Sequence, residues 1–304
     1  MKFENSWTGN WEGAFRGLRH PMESYSKADS HFGILPVDWL NDEIDEVAKM
    51  YEGRTKEAFF MLDNNCEINY SPRNEDYEYA LIGPNDLDLA QRMIRAGTPN
   101  DKFLRQIFVS VDITAPLYFW KEMDQYKVGT TTDSTSTMHK LATTPITLDC
   151  FETDDYNKDL GVGLWACAGG EEYVPEPEYN NPIESGYIKE IDEKTGEILE
   201  EYTTFYSKDY DRNFVTIEHL IQGKINFLER LRRIYLETKD ERYWKELIRW
   251  LPESWLQTRT WTANYAVLRN IIHWRKGHKL SEWSQFINWA SALPYANELL
   301  LFEN

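Results

Sequence analysis

Two stretches of this chain carry polar side chains at spacings that suit chemistry. Near the C-terminus, Glu246-Leu-Ile-Arg249-Trp-Leu-Pro252 is followed by Trp261-Thr-Ala-Asn264, then by Asn270 and Arg275. The surrounding sequence is hydrophobic and reads as buried and helix-like. Two arginines and two asparagines thus stand where a packing helix prefers apolar residues. Polar groups of fixed geometry in such a setting commonly serve a ligand, because each one left unpaired costs about 1–3 kcal/mol. On the helical period, Asn264, Val267, Leu268, Ile271 and Arg275 share one face. That face starts with an amide, continues with aliphatic packing and ends in a guanidinium. Two plainer readings stand beside it. Arg275 is then a core-helix arginine snorkelling out at a helix C-terminus, and Glu246 with Arg249 an exposed ion pair.

The second stretch is Gly129-Thr-Thr-Thr-Asp-Ser-Thr-Ser-Thr137, read as a loop. Hydroxyls, a carboxylate and backbone N–H groups within so short a span can cradle a phosphate. The Gly-Lys-Ser/Thr ending of a P-loop is absent, and no Gly-x-Gly-x-x-Gly follows a strand. A polar surface turn is the other reading. Upstream, Lys121, Glu122, Asp124 and Lys127 read as a solvated helical face.

These segments need a scaffold, and the chain has the means to build one. Its 304 residues are 41% hydrophobic and 14% aromatic, enough for a buried core and contrary to disorder. Cys66, Cys150 and Cys167 match neither a disulfide framework nor a zinc site, so no metal is expected. No apolar run reaches the length of a membrane span and no signal-peptide core opens the sequence, so the expectation is a soluble, cytoplasmic protein without a membrane partner. A net charge of −18 argues against nucleic acid as a partner while leaving room for a small anion held by local arginines.

Periodicity predicts helices at 37–51, 85–96, 115–126, 215–238, 241–250, 265–274 and 280–293. A strand is predicted at 103–113 and a hairpin around Thr195-Gly196. No linker divides the chain, so the reading is a single α/β domain over 1–304 with a probable acidic, loop-rich insertion at 150–212.

Taken in order, the pieces resemble the flavin-dependent thymidylate synthase family. Its threonine-proline turn before a strand is matched by Thr98-Pro99-Asn100-Asp101-Lys102, with lysine where the family has histidine. Its alanine-proline at a helix start is matched by Ala115-Pro116. The signature Arg-His-Arg-x-x-Ser-x-Asn-Glu-x-Ser-x-Arg falls on Gln125-Tyr126-Lys127, and two registers remain open beyond it. One aligns Thr130, Asp133 and Thr135 with serine, glutamate and serine. The other aligns Thr131, Asp133 and Ser136 with serine, asparagine and serine. Glu246, Arg249 and Leu251-Pro252 resemble the family's Glu-x-x-Arg before Leu-Pro. Trp261-Thr262-Ala263-Asn264 with Asn270 and Arg275 resembles its Trp-Thr-x-Asn helix, and Glu282-Trp283-Ser284 its Gln-Trp-Glu.

The resemblance implies an α/β fold with a central mixed or antiparallel sheet flanked by long helices. It implies an enzyme that methylates dUMP to dTMP using FAD, with NADPH and methylenetetrahydrofolate as co-substrates, in a homotetramer. By carry-over, Arg275 is catalytic and faces the uracil. Gln125, Asp133, Ser134, Thr135, Ser136, Thr137 and Arg249 bind substrate, Arg249 at the phosphate. Thr98, Gln125, Tyr126, Lys127, Asn264 and Asn270 bind flavin. Two of the three basic groups of Arg-His-Arg are lost. A related pyrimidine-nucleotide enzyme, such as a dUMP or dCMP hydroxymethylase, and a non-catalytic nucleotide-binding or acidic interaction protein are therefore the alternatives.

Overall fold

Alternation of apolar and polar residues builds the central sheet. In the computed structural model, which describes residues 1–36, 76–137, 141–157, 161–163, 184–191, 198–206 and 214–303, the elements follow in chain order. They are β1 (Lys2–Gly9), α1 (Trp11–Arg19), β2 (His31–Pro36), β3 (Asp76–Leu81), α2 (Pro84–Ala96), β4 (Phe108–Pro116), α3 (Leu117–Met123) and β5 (Thr131–Ser134). Then come β6 (Gly161–Gly163), β7 (Glu184–Ile191), β8 (Ile198–Tyr206), β9 (Phe214–Thr216), α4 (Ile217–Thr238), α5 (Glu241–Arg249), β10 (Leu256–Asn264), α6 (Tyr265–Arg275) and α7 (Ser281–Ser291). The chain forms two compact units, one of residues 1–135 with 256–304 and one of residues 136–255.

In the first unit β1, β4, β10 and β5 form an antiparallel sheet in that order. This is the α/β, antiparallel-sheet organisation expected from the sequence. Val109, Val111, Ile113 and Ala115 of β4 and Trp261 and Ala263 of β10 are buried on one face. There they join Leu268, Ile271, Trp283 and Phe286 in a single core, each large side chain contributing about 1.5–3 kcal/mol by leaving water. The opposite face is polar, with Thr258, Thr260 and Thr262 paired in register with Thr114, Asp112 and Ser110. Helix α2, predicted at 85–96, starts at Pro84 and stops at Gly97, whose φ of 66° a side chain resists. Asp29 caps its start by accepting from the N–H groups of Asn85 and Asp86.

The second unit packs α4 and α5 around Leu228 and Leu247, with Leu141, Ile146 and Phe151 closing the cluster. The strands β7 and β8 pair antiparallel, as the predicted hairpin requires, and β6 pairs with β9. The predicted helix at 37–51 and much of the 150–212 stretch lie outside the described residues.

Several predicted boundaries are corrected. The segment 256–264 is a strand rather than part of a helix-like stretch, because Thr258, Thr260 and Thr262 alternate with Trp261 and Ala263 across the pleat. Residues 131–134 of the supposed loop form β5, whose backbone is paired by β10. The predicted strand at 103–113 begins instead with a 3₁₀ turn, Lys102–Gln106, and the strand itself runs on to Pro116. Pro116 is the cap of α3 rather than its first turn, and the helix ends at Met123.

Candidate functional site

Helix α3 is short, and its end is tightened by successive turns. The N–H of Asp124 donates to the Trp120 carbonyl, that of Gln125 to Glu122 and that of Tyr126 to Met123. Phe119, Trp120 and Met123 face the core, which leaves Glu122 at the flank rather than on a solvated face. Its Oε2 accepts from the indole N–H of Trp283 at 2.9 Å and forms an ion pair with Nη1 of Arg275 at 2.9 Å. Nε2 of His278 lies 3.7 Å from the same oxygen. Because Nδ1 of His278 accepts from the Leu280 N–H, the ring hydrogen sits on Nε2 when the imidazole is neutral. Nε of Arg275 donates to the Tyr126 hydroxyl at 2.9 Å, and the guanidinium lies 4.4 Å from the Trp283 ring centre and 5.5 Å from that of Tyr126. The side chains of Arg275 and Glu122 are 14% and 29% exposed, so this is a shielded ion pair with one side open.

A second arginine straps the following segment to the sheet. Arg259 of β10 donates to Gln257 at 3.0 Å and to Asp124 at 2.9 Å, and lies 4.5 Å over Trp120. The Gln257 amide donates to the Thr135 carbonyl. Between these ties the chain turns at Gly129, whose φ of 78° disfavours any side chain. A Cβ there would lie 3.1 Å from Nδ2 of Asn264. Asn264 caps α6, its Oδ1 accepting from the Val267 N–H at 3.1 Å, and its Nδ2 has no partner among the described residues.

The sequence-predicted residues distribute as follows. Tyr126 and Arg275 are in direct contact. Asn264 lies beside Gly129, two residues after Lys127, and both Gln125 and Lys127 are exposed. Asp133 and Ser134 are on β5 opposite Thr260 and Arg259, and the Thr135 hydroxyl donates to the Thr258 carbonyl. Thr98 donates to the Asp101 carboxylate in its own turn. Asn270 is on the exposed side of α6, since Tyr265, Leu268, Ile271 and Ile272 take the buried side, and its Oδ1 accepts from the Trp274 indole. Ser136, Thr137 and Arg249 belong to the second unit. Arg249 is 54% exposed and paired with Glu246, so neither it nor Asn270 is buried as the sequence suggested. Glu122, His278 and Arg259 were not singled out as site residues. Glu122 sat in what read as a solvated charge run, and nothing local marks it as the partner of an arginine from another element.

Similarities to known proteins are confined to solved structures. The chain is similar to the flavin-dependent thymidylate synthase ThyX from Helicobacter pylori complexed with FAD and dUMP. That match has 15% identity and a TM-score of 0.40, covering 89% of this chain and 94% of the other. It is also similar to a UMP/dUMP methylase, PolB, from Streptomyces cacaoi bound with 5-Br dUMP. Here identity is 11% and the TM-score 0.40, covering 90% and 95%. No protein-family profile and no curated protein sequence matches.

Proposed function

We propose that this chain is a flavin-dependent enzyme acting on a pyrimidine nucleotide, a divergent thymidylate synthase converting dUMP to dTMP. Methylenetetrahydrofolate would give the carbon and NADPH the reducing equivalents, and the working form would be a homotetramer. One observation carries the reading. The signature segment from Gln125 as far as Thr135 and the segment from Trp261 to Arg275, which resemble family motifs, are distant in sequence yet meet in one unit through β5–β10 pairing and the Arg275–Tyr126 contact.

The residues fit a flavin at the level of donor chemistry. Nδ2 of Asn264 is unengaged beside a glycine that leaves room for a ligand edge, and Lys127 is an exposed cation with no ion-pair partner among the described residues. Asn264 and Gln125 would donate to carbonyl oxygens, and Lys127 would meet a phosphate. When bound, flavin supplies the electron transfer that methylation requires. The task of Arg275 is to donate to the pyrimidine carbonyl and stabilise negative charge developing on the ring. Its pairing with Glu122, Tyr126 and Trp283 fixes the guanidinium in advance, which is what such stabilisation requires.

The visible spectrum of purified protein, with and without added FAD, tests the cofactor, and a dUMP titration tests the substrate. Arg275→Ala is expected to abolish turnover. No flavin band and no dUMP binding would refute the proposal. Nucleotide binding without flavin would leave a binding protein, a reading that the loss of two signature cations favours.

A further inference from the structure

Residues 125–134 follow α3 at one end and run into β5 at the other, and both ends are tied to β10 by different means. At the far end the backbone does it, through β5–β10 pairing and the Thr135 N–H donating to the Thr258 carbonyl. At the near end a side chain does it. Nη1 of Arg259, on β10, donates to Asp124 at 2.9 Å, just past the last residue of α3. Nε of the same guanidinium donates to Gln257 at 3.0 Å, and Trp120 lies beneath it at 4.5 Å. The Gln257 amide nitrogen donates in turn to the Thr135 carbonyl at 3.0 Å, so one guanidinium is linked to both ends. Its orientation is fixed, because an arginine only donates and the amide oxygen beside it only accepts. Arg259 is 16% exposed and Asp124 47%, so the tie is shielded on the arginine side. Between the ends lie Gln125 and Lys127, both exposed, and the turn at Gly129.

We propose that Arg259 is a positioning residue for ligand binding: by clamping Asp124 to β10 it orders the 125–134 segment before a ligand arrives. The inference rests on the reading that Gln125 and Lys127 meet a flavin, and it adds the residue that holds them ready. A segment tied at one end only is binding-competent for part of the time, and the apparent dissociation constant rises in proportion. The bound complex itself is unchanged, since the ligand orders the segment at the expense of affinity. Positioning therefore shows as a loss of affinity that saturating ligand repairs.

The full-length protein is compared with Arg259→Met, whose unbranched apolar chain still covers Trp120, and with Asp124→Ala. Each is titrated with FAD by absorbance, and hydrogen exchange of the 125–134 amides is followed with and without saturating FAD. Both variants are expected to bind FAD about tenfold more weakly, as for one lost hydrogen bond to a charged group that is partly screened by water. The double variant is expected to lose no more than either alone, because both act through one contact. Exchange in 125–134 is expected to quicken in the variants without FAD and to return to the wild-type rate with it. If Arg259→Met melts early, Asp124→Ala is read by itself for the same affinity loss and the same recovery of protection. A guanidinium acting through its charge alone would move the two variants in opposite directions, since a flavin phosphate gains when a carboxylate is removed, and that result overturns the proposal. Unchanged FAD affinity in the variants, or protection that saturating FAD does not restore, also overturns it while leaving the proposed function standing. Failure of wild type to bind FAD overturns both.

Discussion

Protonating Glu229 is expected to loosen the second unit. This residue of α4 joins that helix to the 141–151 segment. Its carboxylate accepts from the Ile146 N–H at 2.9 Å and from both Arg232 and Arg233, and Arg232 in turn donates to the Ala142 carbonyl. Burial pushes the carboxyl upward, but the hydrogen bonds from Arg232, Ile146 and Arg233 outweigh it and hold its pKa at about 2 rather than 4.5. The side chain is only 14% exposed, so solvent screens little of this. A depression of that size corresponds to about 3 kcal/mol of folded-state stability. Because the folded carboxyl binds its proton less tightly than the unfolded one, this contribution is complete above about pH 5 and is lost as the pH falls toward 2. Glu229→Gln is expected to lose about 3 kcal/mol at pH 7 and to show a shallower acid dependence. Asp86 in the first unit is also held below its ordinary range, against the upward push of burial, by Ser30 and Arg19. The assay must therefore be local: hydrogen exchange of amides in α4 and α5 at several pH values. Identical acid slopes in wild type and variant would refute the reasoning.

Two further substitutions probe the first unit. Asp86→Asn leaves Arg19, which donates to Asp86 at 2.7 Å and is 5% exposed, as a buried unpaired charge, and is expected to cost about 3–5 kcal/mol in denaturant unfolding. A loss below about 1 kcal/mol would mean that the Lys27 carbonyl, which accepts from Arg19, already compensates the guanidinium. Asn264→Ser keeps a side-chain oxygen to cap α6 but removes the open amide, so stability is expected to change by less than about 0.5 kcal/mol. Flavin affinity, followed by absorbance titration, is expected to fall about tenfold, as for one lost hydrogen bond. Unchanged affinity would exclude Asn264 from the cofactor site.

Elements whose signals are local were legible in the sequence. The stop of helix α2 at Gly97 and the apolar periods of α4 to α7 are readable in the sequence, because capping and amphipathicity are written within a few residues. The strand β10 was not legible. Its threonines resemble a loop or a weak helix until β4 and β5 pair with both its edges, and only that pairing makes a strand of them. The same holds for β5, whose Thr-Thr-Asp-Ser has no apolar face of its own and owes its extended form to the backbone of β10. Tertiary contact decides where local preference is weak.

The site divides along the same line. Arg275 and Asn264 could be picked out because an arginine and an amide on the buried side of a helix are costly without partners. Which partners relieve that cost is a matter of three-dimensional arrangement. Tyr126 is 149 residues away from Arg275 in sequence, and Glu122 lay in what read as a solvated charge run. This pairing suits the ring-facing role that the resemblance implies for the arginine. A guanidinium already neutralised by a carboxylate is poorly suited to anchoring a phosphate, but it retains a directed N–H for a neutral carbonyl. In a chain of net charge −18 the phosphate must then be met by cations not so engaged, and Lys127 is one within the motif segment. Lys127→Ala is therefore expected to weaken binding of phosphorylated ligands and to spare the free nucleoside or riboflavin, whereas Arg275→Ala weakens both. Equal losses for phosphorylated and unphosphorylated ligands in the lysine variant would take the phosphate away from Lys127 and undo the division of labour argued here.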